Sequence, residues 1–169
     1  MIDLIQQKFE SEYFTYIKQI YRYFYFRTSS HETAEDLASS VFSKYWKKLK
    51  EGAEIINTKA LLYTMAHGVL VDHYRASNHN VSVSIEMIDQ SKVAEADETQ
   101  NALEIDEDIK QLGKFLDLIK EEYKEILVLY YIEELKPSQI AKILNKKEAT
   151  VRVTIHRALN ALRKIYEKK

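Results

Sequence analysis

Residues 121–164 have the sequence EEYKEILVLYYIEELKPSQIAKILNKKEATVRVTIHRALNALRK, which predicts a helix-turn-helix. Pro137 is the only proline in the chain, and it stands where a helix can begin, because a first-turn residue needs no N–H partner. Apolar residues follow it at helical spacing. Asn145 comes next and tolerates the left-handed conformation that a tight turn requires. A second helix is then predicted from about Glu148.

The second predicted helix has two faces of different chemistry. Its apolar face should pack inward and consists of Val151, Ile155, Ala158, Leu159 and Leu162. Its outward face consists of Arg152, Val153, His156 and Arg157. Two guanidinium groups on that face suit bases or phosphates, and an exposed valine suits a thymine methyl group. The alternative is an ordinary amphipathic helix with a solvated basic face, which explains an exposed valine poorly.

Charge is distributed unevenly along the 169 residues. The net charge is −1, yet residues 77–109 contain 1 basic and 9 acidic residues, whereas residues 110–169 contain 14 basic and 8 acidic ones. The segment from Lys136 onward alone has 10 basic and 2 acidic residues. Because phosphate binding depends on local potential, a nearly neutral chain is compatible with nucleic-acid binding.

Composition excludes several other classes of protein. Three glycines and one proline argue against a turn-rich β fold, and the lack of cysteine excludes disulfides and thiolate metal sites. His67, Asp72 and His73 do not have the spacing of a compact metal site, so we expect no metal. The sequence has no glycine-rich phosphate loop and no recognisable Ser-His-Asp arrangement, so we also expect no cofactor and no enzyme. No apolar run approaches the roughly 20 residues of a membrane span, and the first residues lack a signal-peptide layout. We therefore expect a cytoplasmic protein without membrane insertion.

Helical periodicity predicts an all-α fold of two small helical domains joined by a linker. Residues 1–76 should form the first domain, with an opening helix from about Ile2 and two further helices over Thr33–Lys50 and Thr58–Ala76. Residues 77–109 should form a flexible acidic linker, and residues 110–169 the helix-turn-helix domain. The dense aromatic cluster between Tyr13 and Phe26 is expected to be core, because its spacing matches a buried helix face.

The order of these segments resembles the extracytoplasmic-function (ECF) group of bacterial RNA polymerase sigma factors, within the sigma-70 family. Three stretches carry the resemblance: Ala34-Glu35-Asp36-Leu37 with Val41-Phe42 and Trp46, then LLYTMAHGVLVDHYR over Leu61–Arg75, then Glu121–Lys164. The resemblance implies that the first domain is a region 2 helical bundle, which binds core RNA polymerase and recognises and melts the promoter −10 element. The second domain would be a region 4 helix-turn-helix that recognises the −35 element as a duplex.

The resemblance also implies three sets of site residues. Contacts to core polymerase would come from Asp36, Ser39 and Phe42. Contacts to the single-stranded −10 element would come from Ile55, Ile56, Asn57, Lys59, Thr64, His67, Gly68, Asp72 and Arg75. Contacts to the −35 major groove would come from Arg152, Val153, His156, Arg157, Lys146, Lys147 and Thr150. The chain departs from the family pattern at His67-Gly68, where Arg-Asn is common, and at Ser39-Ser40, where a long amide and an acid are common.

The implied partners are core RNA polymerase, promoter DNA and an inhibitory anti-sigma factor. Two other functions fit parts of the sequence. A stand-alone helix-turn-helix regulator would bind operator DNA tightly without polymerase, at two-fold symmetric sites. A protein-interaction scaffold of two helical bundles would show no salt-dependent DNA binding. The match of the first domain to a polymerase-binding helix separates the sigma-factor hypothesis from both.

Overall fold

The structure, a computed structural model, describes residues 2–79 and 106–168 and contains only helices and connecting turns within these ranges. The chain divides into two compact units, Met1–Leu103 and Glu104–Lys169. The prediction of an all-α fold built from two helical domains is confirmed. The helices extend into both ends of the predicted linker, and the rest of that predicted segment lies outside the described residues.

Within residues 2–79, the first unit contains three helices, α1 (Ile2–Thr28), α2 (His31–Lys50) and α3 (Thr58–His79). Ser30 caps α2, because its hydroxyl accepts a hydrogen bond from the Thr33 backbone N–H over 3.2 Å. Helix α2 therefore begins slightly before the predicted Thr33, and α3 continues past the predicted Ala76. Gly52 adopts a φ of 74° after the end of α2, where its lack of a Cβ allows the chain to turn.

Aromatic side chains fill the core of the first unit. Tyr23, Phe24, Tyr45 and Tyr63 are fully buried, and the rings of Tyr23 and Tyr63 meet edge to face at 5.8 Å. Edge-to-face contacts of this kind stabilise a core beyond the area that they bury. The prediction that the aromatic cluster is core holds for its C-terminal half and is wrong for Phe14, which is 76% exposed.

The second unit contains α4 (Glu107–Leu116), α5 (Glu121–Leu127), α6 (Pro137–Leu144) and α7 (Glu148–Glu167). A π-helical segment, Val128–Ile132, continues directly from α5. The buried residues of its core come from every one of these helices and include Leu116, Ile126, Leu129, Ile140, Val151 and Ala158. Helix α7 packs against both α5 and α6, and α6 also contacts the π-helical segment, so these buried residues hold the helix-turn-helix in place.

Candidate nucleic-acid interface

The turn between α6 and α7 has the geometry that the sequence predicts. Pro137 is the first residue of α6, and the Gln139 side chain accepts a hydrogen bond from the Lys136 backbone N–H over 2.9 Å. Asn145 ends α6 in the left-handed conformation, with φ 53° and ψ 48°. The Lys146 N–H then donates to the Ala141 carbonyl over 2.9 Å. This closed turn sets the direction in which α7 leaves.

The outward face of α7, as predicted, is exposed along its first three turns. Arg152, His156 and Arg157 lie at the surface, and Val153 is 49% exposed. Its inward face is anchored by Val151, Ile155 and Ala158, which are buried, while Leu159 and Leu162 are only half-buried. An exposed helix face of cations with one branched apolar side chain can meet phosphates, base edges and a thymine methyl group.

Two of the basic residues near the turn are already paired with carboxylates. Arg152 Nη2 lies 2.7 Å from Glu148 Oε1, one helical turn earlier. Lys146 Nζ lies 2.7 Å from Oε1 of Glu122, which stands in the first turn of α5. The other predicted members, Lys147, Thr150 and Arg157, are exposed. The positive potential of the face therefore comes mainly from Lys147 and Arg157, and Lys146 also fastens the turn to α5.

In the first unit, the segment between α2 and α3 carries the predicted single-strand residues. Ile56 is 94% exposed, an unusual position for an isoleucine, whereas Ile55 is half-buried. Asn57 Oδ1 accepts a hydrogen bond from the Ala60 backbone N–H over 3.0 Å, so this side chain caps α3. Sequence reasoning assigned Asn57 to base contact and missed the cap, although Asn directly before a helix is a known capping signal.

Helix α3 presents the remaining predicted residues on a largely exposed stripe. Thr64, Gly68, Asp72 and Arg75 are exposed. His67 and Lys59 also belong to the stripe and are half-buried. A glycine within a helix can serve tight packing of helices or the close approach of another backbone such as that of DNA. A Cβ built at Gly68 meets nothing within 4 Å in the described residues, so packing within the chain does not require glycine there.

A groove of about 920 Å³ runs between α1 and α2 and includes two of the predicted polymerase-binding residues. Ser39 lies on its rim, and Phe42 lies on its floor with only 3% of its surface exposed. The centroid of the Phe42 ring lies 4.9 Å from that of Tyr13 and 6.4 Å from that of Phe9. Phe42 therefore supports the groove more than it projects from it. Asp36 is exposed on α2.

The apolar walls of this groove were not predicted as functional residues. Phe9, Tyr13, Phe14 and Trp46 line it, and Phe14 is the most exposed of them. Phe9, Tyr13 and Phe14 have helical spacing on α1, and the sequence predicts Tyr13 and Phe14 as core, whereas Trp46 lies on α2. Helical spacing in the sequence does not separate these groove residues from core residues, because burial on α1 depends on how much of it the neighbouring helices cover.

No cluster of three His, Cys, Asp or Glu side chains that could hold a metal ion occurs in residues 2–79 or 106–168. Over the same two ranges, no helix is both long enough and apolar enough to cross a membrane.

Comparison with known proteins places both units in one family. The family model "Sigma-70 region 2" matches residues 13–79, and "Sigma-70, region 4" matches residues 109–162. The RNA polymerase sigma factor YlaC of Bacillus subtilis (strain 168) is 28% identical over 155 residues, which cover 92% of this chain and 90% of the relative. The ECF RNA polymerase sigma factor SigM of the same organism is 24% identical over 156 residues, with coverage of 92% and 93%.

Two solved structures have the same fold. The sigma factor RpoE from Bartonella quintana, solved in complex with the anti-sigma factor NepR, matches with a TM-score of 0.74 and 20% identity, over 95% of this chain and 98% of RpoE. CnrH, solved in complex with the cytosolic domain of CnrY, matches with a TM-score of 0.65 and 16% identity, over 97% of this chain and 90% of CnrH.

Proposed function

This chain belongs to the ECF group of the sigma-70 family, and we propose that it binds core RNA polymerase and directs it to specific promoters as a non-enzymatic initiation factor. A stand-alone helix-turn-helix regulator is not favoured. Such a regulator has no need of a region 2 unit, whereas residues 13–79 match the family model of region 2.

One observation carries the DNA-binding part of the proposal, namely the exposed outward face of α7. We propose that Arg152, Val153, His156 and Arg157 enter the major groove of the −35 element, with Lys146, Lys147 and Thr150 beside them. Support comes from the surface position of this face and from the buried anchors of α7, since a recognition helix must be held rigidly to reach base edges.

For the −10 element, we propose that the exposed Ile56 and the stripe on α3 contact the separated strand. An exposed branched side chain in a short turn can insert between bases or wall a pocket for an extruded base. Asn57 then contributes through its amide NH₂ and its cap of α3, because its oxygen is bound to Ala60. The predicted members of this surface are Ile55, Ile56, Asn57, Lys59, Thr64, His67, Gly68, Asp72 and Arg75.

For core polymerase, we propose contacts from the exposed Asp36 and Ser39 on α2, with Phe42 supporting the groove beside them. We also propose an anti-sigma factor as a regulatory partner, because RpoE was solved with the anti-sigma factor NepR and has this fold. Because it would act on polymerase, we propose that the chain works in the cytoplasm.

The test is transcription in vitro with purified chain and core polymerase on a promoter pool. Specific transcripts should require the chain and should weaken in the double variant Arg152→Ala/Arg157→Ala. The matched control is Lys164→Ala/Lys168→Ala, which removes the same charge from exposed positions near the end of α7. No association with core polymerase, together with tight binding to duplex DNA, would favour the stand-alone regulator.

A further inference from the structure

Glu148 and Arg152 form an ion pair on the outward face of α7, one turn apart. Glu148 Oε1 accepts hydrogen bonds from Arg152 Nη2 over 2.7 Å and from Nε over 3.2 Å. The side chains are 46% and 64% exposed, and exposed pairs of this kind add little to folding stability. The main physical consequence of the pair is that a long, flexible guanidinium is held in one orientation.

The pair lies where a recognition helix meets base edges. Glu148 is the first residue of α7, and the N-terminal residues of a recognition helix contact the bases in the major groove. The second carboxylate oxygen, Oε2, makes no hydrogen bond to the described residues. It therefore remains an acceptor that can point to DNA, while Arg152 retains donors that are not engaged by Glu148.

Electrostatics favours bases over phosphates for this pair. A phosphate that approaches Arg152 also meets the Glu148 carboxylate, whose charge cancels much of the attraction. A base edge carries no net charge and is not repelled. In the major groove, cytosine presents an N4 amino donor that suits a carboxylate, and guanine presents O6 and N7 acceptors that suit an arginine.

We propose that Glu148 is a specificity-determining residue of the −35 interface: it orients Arg152 towards a guanine and accepts a hydrogen bond from the N4 amino group of a neighbouring cytosine. This inference rests on the proposed function for the identity of the DNA. It adds an acidic residue to a surface for which the sequence predicts no acidic member.

The test is selection from a pool of duplex promoters randomised over the −35 element, by full-length chain bound to core polymerase and, in parallel, by full-length chain alone. Wild type should enrich cytosine at one position and guanine at a neighbouring one. Glu148→Ala should lower the cytosine preference by about tenfold and weaken the guanine preference. Glu148→Gln should shift that position towards adenine, because a side-chain amide pairs with adenine N6 and N7.

The control is Glu167→Gln, which removes one negative charge at the other end of the same helix. It should raise affinity for all sequences slightly and leave the base profile unchanged. An unchanged profile for Glu148→Ala, or no base preference of wild type in either selection, overturns the inference. If only the polymerase-bound selection fails, the proposed function fails and the selection by the chain alone still decides the role of Glu148.

Discussion

The Thr58 hydroxyl donates a hydrogen bond to Glu12 Oε1 over 3.2 Å, which joins the first turn of α3 to α1. Tyr45 lies at the same junction, and burial raises the pKa of its phenol, while the side chain of Thr58 acts in the opposite direction. The junction fixes the start of α3 and hence the end of the turn that carries Ile56. A contact between α1 and α3, directly beside the proposed DNA surface, therefore positions part of that surface.

We expect Thr58→Val to lower the free energy of unfolding by about 1 kcal/mol, because it removes the hydrogen bond and keeps the shape of the side chain. Promoter opening should fall more than binding to core polymerase, since the turn loses its anchor. Urea unfolding measures the first effect, and permanganate reactivity of promoter thymines measures the second. Thr15→Val is the control, because the Thr15 hydroxyl bonds only within α1, to the Ser11 carbonyl. Equal opening by both variants would show that the junction does not position the turn.

Gly68 gives a prediction in which stability and function change in opposite directions. Because a Cβ at this position meets nothing within 4 Å in the described residues, Gly68→Ala should stabilise α3 by about 1 kcal/mol. If DNA approaches the α3 backbone there, the added methyl group should weaken promoter opening. Thermal unfolding and opening assays on the same protein separate the two effects. Gain of stability with unchanged opening would show that no close approach occurs at Gly68.

Arg157 should contribute to DNA binding mainly through phosphates. It is exposed on α7 and has no ion-pair partner among the described residues, unlike Arg152. Arg157→Ala should weaken binding to all promoter sequences and reduce the slope of log K against log salt by about 1. Titration of polymerase-bound chain with promoter DNA at several salt concentrations measures the slope. The control is Lys164→Ala, which removes a positive charge further along α7. If Lys164→Ala changed the slope as much as Arg157→Ala does, a specific role of Arg157 would be contradicted.

Tyr21 should make the first unit sensitive to alkali. Burial raises the pKa of this phenol well above its usual value, with smaller contributions from Glu35 and Tyr25, and the hydroxyl contacts His31 Nδ1. At a pH between the two pKa values, the phenol keeps its proton in the folded chain and loses it in the unfolded chain. The free energy of unfolding should therefore be level below about pH 10 and fall above it. Tyr21→Phe should reduce that fall, whereas the same change at the exposed Tyr166 should not. Urea unfolding across this pH range measures both.

Much of the fold follows from local signals in the sequence. Pro137, Asn145 and the period of α7 predict the helix-turn-helix, because each imposes a backbone conformation within a few residues. The exposed face of α7 follows from the same period. The predicted start of α2 at Thr33 and end of α3 at Ala76 differ from the structure by a few residues. A hydrophobic pattern does not show the residue at which a helix begins or ends, such as the cap Ser30.

Other features depend on contacts between elements and could not be predicted. Helical spacing on α1 is the same for the buried Phe24 and the exposed Phe14, because the extent to which neighbouring helices cover α1 decides burial. The pairing of Lys146 with Glu122 joins residues that are distant in sequence. The cap that Asn57 forms with the Ala60 N–H is, by contrast, a local feature that the sequence could have predicted.

Substitutions of Asn145 test whether the turn between α6 and α7 sets the orientation of the proposed −35 surface. With a φ of 53°, this residue is strained for any side chain with a Cβ, and asparagine tolerates the strain better than most. Asn145→Gly should leave stability unchanged or raise it slightly, whereas Asn145→Ala should lower the free energy of unfolding by about 1 kcal/mol. Glu134 provides the matched comparison, since its φ is 55° and it lies before α6. Glu134→Gly should stabilise the same unit without changing −35 binding. If Asn145→Ala weakens −35 binding by more than its loss of stability explains, the turn sets the orientation of α7. If the loss of binding follows the loss of stability alone, the packing of Val151 and Ile155 sets the orientation of α7.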